Sequence, residues 1–249
     1  MANTHSTDLE LSSSQFWSIA DASQTGLDFT DAMSIMGWIK IESALASGDN
    51  RGIVGKFLTA GDQRSYIFAY INEGGTTRFL FQASTDGTDA ALYFGVRDVS
   101  LSTGTWYHVA MTKSGTTLRF YVDSTQQGAD ITLGQSTIKN GTAAFHVGAR
   151  QTTDYFWDGL MDDVMVFNAQ LTGTNVSDYF GDPCNWTPPA SLQGRWLFDN
   201  DATDSSGNGN TLTGNGSPTF VTDIAYTCGG GGGATSAQAG FLSLCGVGN

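Results

Sequence analysis

Apolar and polar residues alternate with a period of two through most of this chain, and that pattern limits what it can fold into. Between Met33 and Ile41, one side carries Met33, Ile35, Gly37, Ile39 and Ile41, and the other Ser34, Met36, Trp38 and Lys40. An extended backbone sends successive side chains to opposite faces, whereas a helix repeats every 3.6 residues. Leu118, Phe120 and Val122 likewise oppose Arg119, Tyr121 and Asp123. Asn72-Glu73-Gly74-Gly75 separates strand-like residues 66–71 from 78–82, and Lys113-Ser114-Gly115-Thr116 separates 105–112 from 117–123. Both breaks predict hairpins. Further strands are predicted at 91–96, 145–148, 159–167, 192–198 and 219–222. Only residues 171–180 read as a helix, with Thr172 as its cap. Many strands and almost no helix predict an all-β sandwich of two antiparallel sheets.

Composition agrees. The 249 residues include 32 Gly and 4 Pro and are only 14% charged, which suits short strands joined by tight turns. A net charge of −13, with no Lys/Arg-rich run, excludes a nucleic-acid partner. No segment approaches the roughly 18 apolar residues of a membrane span, so none is predicted. The first residues lack a basic and then apolar leader. That leaves a removed signal or another route out of the cytoplasm, such as release within a virus particle. Cys184, Cys228 and Cys245 are odd in number, so one thiol stays unpaired. A Cys184–Cys228 link would clip 184–228 to the domain; a reduced pair is the alternative. Five glycines at 229–233 begin a linker and tail over 229–249, with Phe241, Leu242 and Leu244 near its end. The tail reads either as a segment that orders on a partner or as a disordered end.

Four stretches, in order, resemble the laminin G-like and pentraxin-like jelly rolls of the concanavalin A-like lectin/glucanase superfamily. They are Leu27-Asp28-Phe29-Thr30 with the strand from Met33, Trp106-Tyr107-His108-Val109-Ala110-Met111-Thr112, Leu118-Arg119-Phe120-Tyr121-Val122-Asp123, and Phe156-Trp157-Asp158-Gly159-Leu160-Met161-Asp162-Asp163 with the strand it opens. The resemblance covers residues 9–180 and implies a concanavalin A-like jelly-roll sandwich. Trp196-Leu197-Phe198-Asp199 and Asp204-Ser205-Ser206-Gly207-Asn208-Gly209-Asn210 resemble a stretch that often opens the family's domain, yet here it comes last. Either the chain is circularly permuted, with closing strands from 190–222 in one domain over 1–228, or a truncated second copy begins at Leu192. The remaining length is too short for a second sandwich.

Asp162 is the candidate site residue the pattern singles out. Strict alternation places it with Leu160, Val164 and Val166, and Asp163 with Met161, Met165 and Phe167, so a carboxylate falls among apolar neighbours on either face. It must be hydrogen-bonded, protonated or metal-bound. The resemblance implies a structural calcium, for which Asp162, Asp199, Asp204 and Asn208 are the candidate ligands; hydrogen bonding to a loop is the alternative. Tyr155, Trp157 and Trp186 are candidate sugar platforms, because a pyranose face stacks on an aromatic ring. Phe156 matches a core position of the resembled family, and a place in the core is the alternative for Trp157 as well. His108, beside Trp106, is expected to make a structural hydrogen bond.

Catalysis is not expected. Glycoside cleavage needs two cooperating carboxyls. Glu10, Glu42 and Glu73 are far apart in sequence, and Asp162 and Asp163 alternate between faces. The superfamily's glucanase strand motif of type E-x-D-x-x-E is absent, as is a G-x-S-x-G elbow. The expected function is non-enzymatic attachment or assembly by a surface or virion protein of decoration, fibre or spike type. Partners would be a glycan or cell-surface polymer, other structural proteins, or further copies of the chain. An extracellular carbohydrate-binding module is the alternative, and a glycan hydrolase the remote one.

Overall fold

Each of the predicted strands forms, and the structure adds strands the pattern did not predict. The computed structural model describes residues 3–228 and the backbone of 235–236. In chain order it begins with β1 (Ser6–Leu9), β2 (Phe16–Ile19), β3 (Met33–Ile41), β4 (Asn50–Leu58), β5 (Gln63–Glu73) and β6 (Thr76–Ser84). There follow β7 (Leu92–Asp98), β8 (Trp106–Ser114), β9 (Thr117–Val122), β10 (Thr125–Gln126), β11 (Ile131–Thr132), β12 (Phe145–Val147) and β13 (Gly159–Phe167). After the helix α1 (Gly173–Gly181) come β14 (Leu192–Trp196), β15 (Thr213–Asn215), β16 (Thr219–Val221) and β17 (Tyr226–Thr227), which pairs with β18 (Thr235–Ser236). Thr172 caps α1 by accepting from the Asn175 N–H, and Asn175 returns a bond to the Thr172 backbone.

One sheet runs β10-β9-β8-β3-β13-β1-β16, with β11 beside β9 and β14 beside β13; the other runs β15-β2-β12-β4-β5-β6-β7. Neighbouring strands within each sheet are antiparallel. Met33, Ile35, Ile39 and Ile41 of β3 meet Tyr66, Phe68 and Tyr70 of β5 in the core between the sheets. Met36 and Trp38, on the other face of β3, pack under α1 against Val176 and Tyr179. The first sheet is therefore covered on both sides. Closing strands from the chain's last third join both layers: β14 pairs β13, β16 pairs β1 and β15 pairs β2. Cys184 and Cys228 form a disulfide with Cα atoms 5.6 Å apart. The apolar tail residues Phe241, Leu242 and Leu244, and Cys245, lie outside the described residues.

β4 went unpredicted because Lys56 occupies a fully buried position that reads as polar. Its ammonium meets Asp21 Oδ1 at 2.6 Å, Asp28 Oδ1 at 3.0 Å and the Ala143 carbonyl at 2.9 Å. Burial of a charge is tolerable when it is paired in this way.

Strict alternation fails in β13. Trp38 pairs with Asp162 but Met36 with Met165, so two residues, Asp163 and Val164, oppose the single Gly37. This is a β-bulge, with Asp163 at φ 42°. A Cβ on Gly37 would lie 3.1 Å from Val164 Cα, so the small residue leaves room for the bulge. Beyond it the faces exchange. Met161, Val164 and Val166 enter the core between the sheets, while Leu160, Met165 and Phe167 turn outward beneath α1. The expected grouping of Asp162 and Asp163 on opposite faces is thereby corrected, since both carboxyls bond to groups of the outer layer.

Candidate functional site

The face of the second sheet turned away from the core carries an apolar cluster bordered by a cleft. Along β5, Tyr66, Phe68 and Tyr70 fill the core, so period-two geometry sends Ile67, Ala69 and Ile71 outward. Leu80 of β6 and Leu92 and Val96 of β7 extend this apolar floor. Phe94 stands on it 62% exposed. A cleft of about 390 Å³ opens there, floored by Ile71, Leu80 and Val96 and flanked by Phe94, Gln82 and Tyr155.

Tyr155 is held over the cleft by an unusual backbone. Its φ is 56°, a left-handed conformation that costs a bulky residue of order 1–3 kcal/mol. Two contacts hold it. The Gly52 N–H donates to the Tyr155 carbonyl at 2.6 Å. The Arg150 guanidinium lies 4.0 Å from the Tyr155 ring centre, and Arg150 is itself fixed by Asp154, with Nε to Oδ1 at 2.9 Å. Gly52 lets this loop approach the sheet: a Cβ there would sit 2.5 Å from the Ala149 carbonyl carbon. The rim is acidic, with Glu73 bound to Arg78 Nη1 at 2.5 Å and Arg78 Nε bound to Asp98 Oδ1 at 2.7 Å.

Of the three aromatic candidates, Tyr155 lines this cleft. Trp157 does not: it is 1% exposed inside the core between the sheets, so neither ring face can meet a ligand. Its proposed stacking role is corrected for that reason. Trp186 is half-buried and packs edge-on against Tyr179 and Phe167, with ring centres 5.2 and 6.3 Å apart. It borders a small cavity of about 70 Å³ beside the disulfide, remote in composition from the cleft. Phe94 and Gln82 were missed as site residues. Alternation along residues 91–96 was the signal, since it leaves Leu92, Phe94 and Val96 together on one face of a terminal strand.

The four candidate calcium ligands do not assemble into one coordination sphere. Asp204 accepts at both oxygens, from the N–H groups of Arg195, Ser206 and Asn210 and the Ser206 hydroxyl, leaving no lone pair for a cation. Asn208 donates to the Gln193 and Leu192 carbonyls beside it. Asp199 instead binds the Thr4 and His5 N–H groups at 3.0 and 3.1 Å. Asp162 is buried beneath residue 225, where its Oδ2 accepts from Asn3 Nδ2 at 2.9 Å and the Ala225 N–H at 3.1 Å. These residues therefore do not fit the ion that the resemblance implies.

Asp162 is better described as a buried acid. Loss of solvent, reinforced by the neighbouring Asp163, pushes its pKa up to about 8, against the two donors that favour the carboxylate. Among the described residues its Oδ1 has no partner, and neither has Oδ1 of Asn3. Asp163 is satisfied, by Arg195 Nε and Nη2 at 2.8 and 2.7 Å and by the hydroxyls of Tyr179 and Tyr226. His108 differs from expectation. Set among the rings of Trp38, Tyr179 and Phe180, both its ring nitrogens lack hydrogen-bond partners among the described residues, and burial lowers its pKa to about 3.

Glu10 and Glu42, distant in sequence, meet in space. Their carboxylate oxygens and those of Asp8 lie within 4.8 Å of one another. Burial raises the pKa of Asp8, with repulsion from Asp158 adding to it, and burial raises that of Glu42, with repulsion from Asp8, Glu10 and Asp158. None of the three lines the cleft.

Residues 12–177 match a laminin G family model described as the concanavalin A-like lectin/glucanases superfamily. Among solved structures, a Bacteroides ovatus protein described as a candidate carbohydrate binder aligns with a TM-score of 0.66 at 18% identity, over 90% of this chain and 61% of its own. This chain thus spans about three fifths of that protein's length. The native heptameric SAP-like pentraxin of Limulus polyphemus aligns with a TM-score of 0.56 at 14% identity, over 88% and 94%. The CBM40 domain of a Ruminococcus gnavus IT-sialidase, bound to α2,3-sialyllactose, aligns with a TM-score of 0.50 at 14% identity, over 62% and 85%. At such identities these likenesses show the fold. No curated protein sequence matches the chain.

Proposed function

The chain belongs to the concanavalin A-like lectin/glucanases superfamily, and from that footing we propose that it binds carbohydrate without transforming it, in the cleft under Tyr155. The observation that carries this reading is the pairing of an exposed ring, Phe94, with a second ring, Tyr155, held in a costly left-handed conformation above an apolar sheet face. Strain of that kind persists where surrounding contacts over-determine it, and it clusters at ligand sites. Sugars bind by laying C–H faces on rings while hydroxyls meet side-chain amides. The carbohydrate-binding descriptions of two fold neighbours lend support. Absence of chemistry is supported by the position of the converging acids, which are partly exposed and outside the cleft. A glycosidase must hold its bond between two carboxyls.

We place the protein outside the cytoplasm, at a cell or virion surface, in an attachment or assembly role. The disulfide supports an oxidising compartment, and no helix among the described residues is long and apolar enough to cross a membrane. A glycan array probed with the wild type, Tyr155→Ala and Phe94→Ala tests the binding reading. Signals that fall at least tenfold in both variants, with melting temperatures preserved, are expected; signals indifferent to both substitutions would remove the cleft from consideration.

A further inference from the structure

Resting on that reading of the cleft, we infer that its ligands are uncharged glycans, and that Glu73 sets this preference by excluding acidic sugars. The polar groups lining the cleft include the Ser47 hydroxyl, the Asn50 and Gln82 amides and the Tyr155 hydroxyl, all neutral. The Gln82 side chain has no hydrogen bond among the described residues, so its two donors and its acceptor are available to sugar hydroxyls. Glu73 is the charged residue of the lining.

Among the described residues, no cation of the lining balances an incoming anion. Arg78 is spent on Glu73 and Asp98, a group that carries one net negative charge. Arg150 is held by Asp154 and lies against the Tyr155 ring, and it does not line the cleft. A sialic or uronic acid entering here would give up hydration of its carboxylate and gain no charged partner. It would also meet a like charge on Glu73. A neutral hexose or pentose chain loses nothing of this kind: its C–H faces meet Phe94 and Tyr155, and its hydroxyls meet Gln82 and Asn50. Glu73 is exposed, so its repulsion acts through solvent and is screened by salt within a Debye length of about 8 Å at physiological ionic strength.

The test is titration calorimetry of the full chain with matched probes: lactose against α2,3-sialyllactose, and xylo-oligosaccharides against their glucuronic acid-substituted forms. The neutral member of at least one pair should bind, with its acidic counterpart at least tenfold weaker. Glu73→Gln, and separately 0.5 M salt, should each shrink that ratio several-fold by strengthening the acidic member's binding. A purely steric barrier to the larger acidic sugars would respond to neither, and that result would overturn the role given to Glu73. Acidic members binding as tightly as neutral ones would overturn the ligand class while leaving the cleft a sugar site. If no member of either kind binds here and no glycan gives an array signal dependent on Tyr155, the underlying site assignment falls instead. Thermal melting of Glu73→Gln, expected to match the wild type, confirms that the ratio reports the site rather than the fold.

Discussion

Replacing Asp162 with Asn should flatten the fall of stability with pH above neutrality. Asp162 is fully buried with its pKa raised from 3.8 to about 8, so the folded state holds a proton that the unfolded chain has released. Stability is therefore greatest below the unfolded pKa and is lost as pH rises toward the folded one, at about 1.4 kcal/mol per unit. Between pH 6.5 and 8 the expected loss is about 1.7 kcal/mol, or about 3–7 °C in melting temperature for a chain of this size. Below pH 6.5 the buried His108 and His146 act in the opposite sense. Their pKa values are lowered to about 3 and about 4, so the folded state resists their protonation and stability falls with acid. Two histidines outweigh one aspartate, which places the maximum near pH 6.5. Asparagine resembles the protonated acid in shape and still accepts from the Asn3 amide and the Ala225 N–H. Urea unfolding at pH 6.5 and 8 would show Asp162→Asn losing markedly less stability than the wild type across that interval. Equal losses in both proteins would refute a protonated Asp162.

Gly52→Ala would force a Cβ to 2.5 Å from the Ala149 carbonyl carbon and lift the loop that carries Tyr155; glycan affinity should fall at least tenfold, as calorimetry would show. Paired replacement of Cys184 and Cys228 by Ser frees a segment of 44 residues from its clip, costing about 4 kcal/mol by loop entropy, measurable by urea unfolding of both forms. His108→Leu should remove about 1.4 kcal/mol per pH unit of acid sensitivity between pH 6.5 and 4, since the neutral ring is what the apolar pocket of Trp38, Tyr179 and Phe180 accepts. Unfolding curves at the two pH values decide it.

Much of the architecture was legible from the residues because its signals are local. Alternation located β3 and β13 at their ends, Gly74 and Gly75 marked the β5–β6 turn, and Thr172 marked the start of α1. Each depends on the pleat, on a φ that glycine tolerates, or on one hydrogen bond within a few residues. The site was only partly legible. Tyr155 and Trp157 are two positions apart and chemically alike, yet one overhangs the cleft and the other fills the core. Their fates depend on the loop's docking at Gly52 and on the left-handed turn at Tyr155. The shared face of Asp162 and Asp163 depends on one extra residue in β13 opposite Gly37, and the meeting of Glu10 with Glu42 on the approach of the ends of β1 and β3. Composition and periodicity determined that there would be two layers and located many, though not all, of the strands that build them. Register, bulge and loop docking decided which side chains meet, because they arise from contacts between distant segments that no short-range pattern encodes.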